Sequence, residues 1–185
     1  GKSTRFELMF RILKGNIKSL RKLNFTRGKL LQEVPQLGNT APTLSITSLS
    51  LDGINILHQL QPSQMPYVRS LRLTSMNLYP ALRILLPQIT HVDLDNFASF
   101  RDSLFLPFLE EVGAVEELSI EDWVFASCSP ASVTEIAKKV ASLRFRTSND
   151  SPSGYASSYL IQILKRSTVL KKLSIVSTEE RVFLR

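Results

Sequence analysis

Val68-Arg69-Ser70-Leu71-Arg72-Leu73 returns 21 residues later as Ile89-Thr90-His91-Val92-Asp93-Leu94. Both follow one phrase: apolar, two residues, apolar, one residue, apolar. On the amino side it stands as Ile46-x-x-Leu49-x-Leu51 and Leu20-x-x-Leu23-x-Phe25. On the carboxyl side it stands as Val115-x-x-Leu118-x-Ile120, Val140-x-x-Leu143-x-Phe145 and Leu170-x-x-Leu173-x-Ile175. The second apolar positions are separated by 26, 22, 21, 26, 25 and 30 residues. One such phrase carries no information; seven at a near-constant step mark a repeat of roughly 20–30 residues. The alternation inside each phrase predicts a short strand with one apolar face.

The intervals between phrases read as helices or turns. Phe6, Met9, Phe10, Leu13, Ile17 and Leu20 lie at helical spacing, and Thr4 with Glu7 forms a capping box before them. Ser129-Pro130 predicts a second helix start, with Val133, Ile136, Ala137 and Val140 as its inward stripe. Tyr155, Tyr159, Leu160, Ile163 and Leu164 predict another stripe. Residues 79–89 and 101–115 carry Pro80, Pro87 and Pro107, which predicts broken or 3₁₀-like turns. The fold expected is therefore α/β: residues 1–185 form one open solenoid of about seven repeats. Strands about 4.8 Å apart and helices about 10 Å apart force a curve, with the parallel sheet on the concave side and the helices on the convex side.

The LxxLxL phrase along nearly the whole chain resembles the leucine-rich repeat superfamily. Its irregular repeat lengths look most like the intracellular repeats of F-box proteins, the divergent fungal kind above all. That resemblance implies the substrate-recognition part of a ubiquitin-ligase receptor, with the F-box itself upstream of Gly1. One departure stands out. The superfamily places Asn three residues after the last apolar of the phrase, and here those positions are Gly28, Ile54, Met76, Phe97, Trp123, Ser148 and Thr178. Apolar packing is expected to hold these turns in place of an Asn ladder.

The residues between the apolar positions are expected to point outward. They run Lys22-Asn24-Thr26, Ser48-Ser50-Asp52, Ser70-Arg72-Thr74, His91-Asp93-Asp95, Glu117-Ser119-Glu121, Ser142-Arg144-Arg146 and Lys172-Ser174-Val176. Arg72, His91, Asp93, Asp95, Glu117, Glu121, Arg144 and Arg146 are the candidate partner-binding residues. They suggest an acidic centre between basic flanks, suited to a protein partner with a basic segment. The alternative is that neighbouring strands pair these charges among themselves, Arg72 with Asp93 and Glu121 with Arg146. Trp123, beside the acids, is either an exposed anchor or a core residue.

The formal net charge is +7. Residues 1–30 hold nine bases against Glu7, which gives +8 and leaves −1 for the remainder. A nucleic-acid or phosphate-binding module working through that segment is thus an alternative function. A ligand-sensing repeat domain of a larger signalling protein is another. The single cysteine, Cys128, cannot form an internal bridge, which points to a reducing, intracellular compartment. A position just before a helix would lower its pKa, whereas burial would leave it inert.

Gly1-Lys2-Ser3-Thr4 matches only the tail of a phosphate-binding loop. His58 and His91 are the only histidines, and no nucleophile elbow occurs. Neither an enzyme activity, a cofactor nor a metal is expected. No apolar run reaches the roughly 20 residues of a membrane-spanning helix. A start without Met and an end at Val182-Phe183-Leu184-Arg185 suggest a piece of a longer chain with further repeats.

Overall fold

The computed structural model describes residues 21–25, 43–51, 65–74, 82–94, 101–147 and 153–177. Seven strands form one sheet: β1 (Lys22–Phe25), β2 (Ser48–Leu51), β3 (Ser70–Leu73), β4 (His91–Leu94), β5 (Glu117–Glu121), β6 (Ser142–Thr147) and β7 (Lys172–Ser177). All neighbours are parallel, and the strand order follows the chain, β1 to β7. Each strand coincides with one of the seven phrases. The architecture is α/β, a parallel sheet with helices, and is consistent with a repeat solenoid.

The register shows why the phrase recurs. Leu23, Leu49, Leu71, Val92, Leu118, Leu143 and Leu173 fall in one line across the sheet. From Leu49 to Leu143 that line is buried. The first apolar position of the phrase forms a second buried line: Ile46, Val68, Ile89, Val115 and Val140. Parallel strands at this spacing must be joined by crossovers, so each strand buries its apolar side only by lying against the units before and after it.

A second regularity marks the entry to β2, β3, β4, β5 and β7. The carbonyls of Arg21, Thr47, Arg69, Thr90 and Ala141 each accept two backbone N–H groups from the next unit, such as Thr47 and Ser48 on Arg21 at 2.8 and 3.1 Å. The shared acceptor fixes where pairing starts, and thereby fixes the register of the side chains that follow.

Four α-helices are described: α1 (Asp102–Glu111), α2 (Asp122–Ala126), α3 (Pro130–Lys139) and α4 (Ser153–Arg166). Helix α3 begins as its sequence predicts. Ser129 is the N-cap, its hydroxyl accepts from the Ser132 N–H, and Pro130 sits at the first position. Val133, Ile136, Ala137 and Val140 are buried as expected.

Helix α1 corrects the expectation of a broken turn at 101–115. Its ten residues are helical with Pro107 inside. Proline there removes one intrahelical bond, a cost of about 3 kcal/mol. Phe105, Phe108 and Leu109 bury one face, with the two rings stacked 6.4 Å apart, and burial of roughly 1.5–3 kcal/mol per side chain offsets that cost. The other proline-rich interval behaves as predicted, with a 3₁₀ turn at Leu86–Gln88.

Two positions at the carboxyl end depart from the expected stripes. Ile163 is buried and Tyr159 and Leu160 pack on the core, but Leu164 is 48% exposed. Ile175, on the apolar side of β7, is 60% exposed. Among the described residues no strand follows β7 to cover that side.

The predicted first helix, the Asn-ladder positions other than Trp123 and the chain end at 182–185 lie outside the described residues. So do Tyr155's side chain, Asp52 and Asp95.

Candidate interaction surface

The outward side chains fall into rows. The first row crosses the sheet as Lys22, Ser48, Ser70, His91 and Glu117, and its far end pairs Ser142 with Lys172. The second runs Asn24, Ser50, Arg72, Asp93, Ser119, Arg144 and Ser174. In the third, Glu121 pairs with Arg146 and Arg146 with Val176. Arg72, His91, Arg144 and Lys172 are exposed, while Asp93, Glu117, Glu121 and Arg146 are half-buried.

At the centre, the charges pair with one another. Arg72 Nε lies 3.5 Å from Asp93 Oδ2, and Arg146 Nη2 lies 3.1 Å from Asp93 Oδ1. The first contact joins neighbouring strands. The second spans two, because Arg146 is on β6 and Asp93 on β4. Arg146 Nη2 also donates to the Leu94 carbonyl at 2.6 Å. Backbone pairing between β4 and β5 ends at Asp93 and Ser119, so the guanidinium serves an acceptor at the point where the ladder stops.

Ser119 makes that span feasible. Strand β5 lies between the two partners, and its residue at the level of Asp93 is Ser119. Two strand spacings amount to about 10 Å, a gap that only a long side chain meeting a second one can bridge. A bulky residue at 119 would block the path. Ser119 was expected to be open to solvent, and instead it is only 7% exposed.

The remaining acids divide. Glu121 Oε2 accepts from Trp123 Nε1 at 2.5 Å, and the indole rests partly buried against the core. Trp123 is thus neither a free anchor nor a fully buried core residue. Asp122 is buried, and its Oδ1 accepts the Trp123 N–H at 2.7 Å at the start of α2. His91 Nε2 lies 3.8 Å from Glu116 Oε2, and its Nδ1 lies 2.9 Å from Thr90 Oγ1.

Two contacts that tie neighbouring units together carried no sequence signal. Asp102 Oδ1 accepts from the Ser129 N–H at 3.0 Å and the Ser132 hydroxyl at 2.7 Å, joining the starts of α1 and α3. Lys139 Nζ donates to the carbonyls of Leu109, Glu110 and Val112 at 2.6, 2.9 and 3.0 Å. These lie at the carboxyl end of α1, where unsatisfied carbonyls favour a cation.

Cys128 is buried, and burial together with the Asp102 carboxylate pushes its thiol well above the usual range. The helix that follows does not activate it. Of the basic 1–30 segment, residues 21–25 are described, with Arg21 and Lys22 exposed. Among the described residues no group of His, Cys, Asp and Glu gathers to hold a metal, and no helix is long and apolar enough to cross a membrane. No protein-family model, curated protein or solved structure matches the chain.

Proposed function

We propose that this chain is a leucine-rich-repeat module that holds a protein partner on the polar face of its sheet. The observation that carries this reading is the division of the sheet. One side is a continuous apolar core from Ile46 to Phe145, and the other presents Arg72, His91, Arg144 and Lys172 to solvent. Seven strands span about 29 Å at ordinary spacing, the reach of a peptide or a domain edge. Solenoids use such a surface because it is rigid and extended while the helices supply the core. The resemblance to intracellular F-box repeats suggests that the partner is the substrate of a ubiquitin-ligase receptor. Binding and not chemistry is proposed, within an intracellular compartment.

The test places the photo-crosslinking residue p-benzoylphenylalanine at Ser50 on the polar face, or at Ala131 on α3. Partner adducts are expected from position 50 and not from 131. Adducts confined to position 131 would move the binding surface to the helices and refute this reading.

A further inference from the structure

On β6 and β7 the exposed charge of the polar face is basic. Asp93, the centre of the acidic stretch, is held by Arg72 and Arg146. Glu121 is engaged by Trp123. By contrast, no side-chain hydrogen bond or ion pair engages Arg144, Lys171 or Lys172 among the described residues, and all three are exposed.

The register explains this isolation. Arg144 lies between Ser119 on β5 and Ser174 on β7, and Lys172 lies opposite Ser142. The residues directly opposite on the adjacent strands are all serines, while Glu121, diagonal to Arg144 on β5, is turned to Trp123. Glu117, on the row of Lys172, stands two strands away, about 10 Å. Serines also keep the surface low, so a backbone can approach the two cations. Arg144 and Lys172 are diagonal neighbours, roughly 7–8 Å apart at their backbones. Alternate side chains of an extended strand are spaced by about 7 Å.

We infer that the β6–β7 part of the polar face takes an extended acidic segment of a partner protein, with carboxylates two residues apart meeting Arg144 and Lys172. Lys171, at the entry to β7, adds to the local positive field. This rests on the surface reading above, and it names the partner chemistry as acidic where sequence alone suggested a basic segment. The inversion follows from geometry: Asp93 is ion-paired within the sheet and Glu121 is engaged by Trp123, whereas Arg144 and Lys172 carry no such contact among the described residues.

The experiment measures fluorescence anisotropy of labelled (Glu-Ser)₅, (Lys-Ser)₅ and a ten-nucleotide oligothymidylate with the full chain, at about 50 mM salt, where screening is modest. The acidic peptide is expected to bind, and the basic one to show no binding. Replacing Arg144→Ser together with Lys172→Ser is expected to weaken the acidic peptide about tenfold, since each exposed pair is worth up to roughly 1 kcal/mol. Both positions are exposed, so the serine variant keeps the core intact. Lys165→Ser on α4, also exposed, is expected to change affinity less than about twofold. Equal losses from Lys165→Ser would show attraction to net charge alone and overturn the inference. So would unchanged binding by the double variant, or no binding of the acidic peptide. Oligothymidylate bound as tightly as the peptide would make the patch a general polyanion site, again overturning it. Adducts at position 50 with no acidic-peptide binding would leave the surface reading standing and remove this one alone.

Discussion

Leu143 in β6 and Leu173 in β7 are register partners drawn from the same phrase, yet Leu143 is sealed and Leu173 is half-exposed. The contrast extends through both regions. In the middle of the stack, β4 to β6 with α1 and α3 bury Phe105, Phe108, Leu118, Ile136 and Leu143. Polar groups there are tied across units by Asp102, Lys139 and Arg146. At the carboxyl end, Ile161, Leu164 and Ile175 are exposed, and the side chains of Lys171 and Lys172 have no partner among the described residues. The difference teaches that the phrase sets orientation and register, while burial and charge pairing come from the units on either side. Stability in such a stack is a sum over neighbours.

That comparison is broken or sharpened first by truncating apolar side chains in each region. Phe108→Ala is expected to cost about 3–5 kcal/mol by urea denaturation, the transfer loss plus a cavity. Ile175→Ala is expected to cost under about 1 kcal/mol, since much of its surface is already wet. Equal costs would mean that the carboxyl end is packed as tightly as the middle.

The polar ties come next. Lys139→Met removes the ammonium that serves three carbonyls and is expected to cost about 1.5–3 kcal/mol. Lys172→Met is expected to stay within about 0.5 kcal/mol of the unaltered protein. Asp93→Ala removes the carboxylate between two guanidinium groups and is expected to cost about 1–2 kcal/mol. A hydrogen-exchange measurement should then show faster exchange at β4–β5, not at β6–β7.

The smallest effect is electrostatic and depends on pH. The hydrogen bond from Lys138, with the nearby charge of Lys139, holds the Glu135 carboxyl below its ordinary value of 4.5. A depressed carboxyl stabilises the folded state fully above that ordinary value and loses its contribution as pH falls through the folded value. Lys138→Ala is therefore expected to cost about 0.3–0.5 kcal/mol near pH 7, a difference that closes in acid. A difference that grows in acid would assign the effect to something other than this pair.

The sequence carried the strands because each phrase is local: alternation within six residues places Leu71 inward and Arg72 outward without knowledge of the neighbours. The start of α3 was legible for the same reason, since Ser129, Pro130 and Ser132 cap it within four residues. Helix α1 was not. Pro107 is a local breaker, and the packing of Phe105 and Phe108 that overrides it is tertiary. The Arg146–Asp93 bridge is not legible from neighbouring-strand pairs, because it crosses a strand at a serine. Lys139 gave no signal at all. A lysine in the last turn of a helix usually faces solvent, and only the adjacent end of α1 gives it carbonyls to serve.

The central claim is the chain-ordered, in-register sheet with its polar rows on one side, and spin-label distances test it most directly. On a Cys128→Ser background, Ser48→Cys is paired in turn with His91→Cys, Ser142→Cys and Lys172→Cys, all on the first outward row. Electron–electron double resonance is expected to give separations that rise with strand number, near 10, 19 and 24 Å before the label arms are added, at about 4.8 Å per strand. Distances that fail to rise in that order would contradict the sheet, and with it the surface on which binding is proposed.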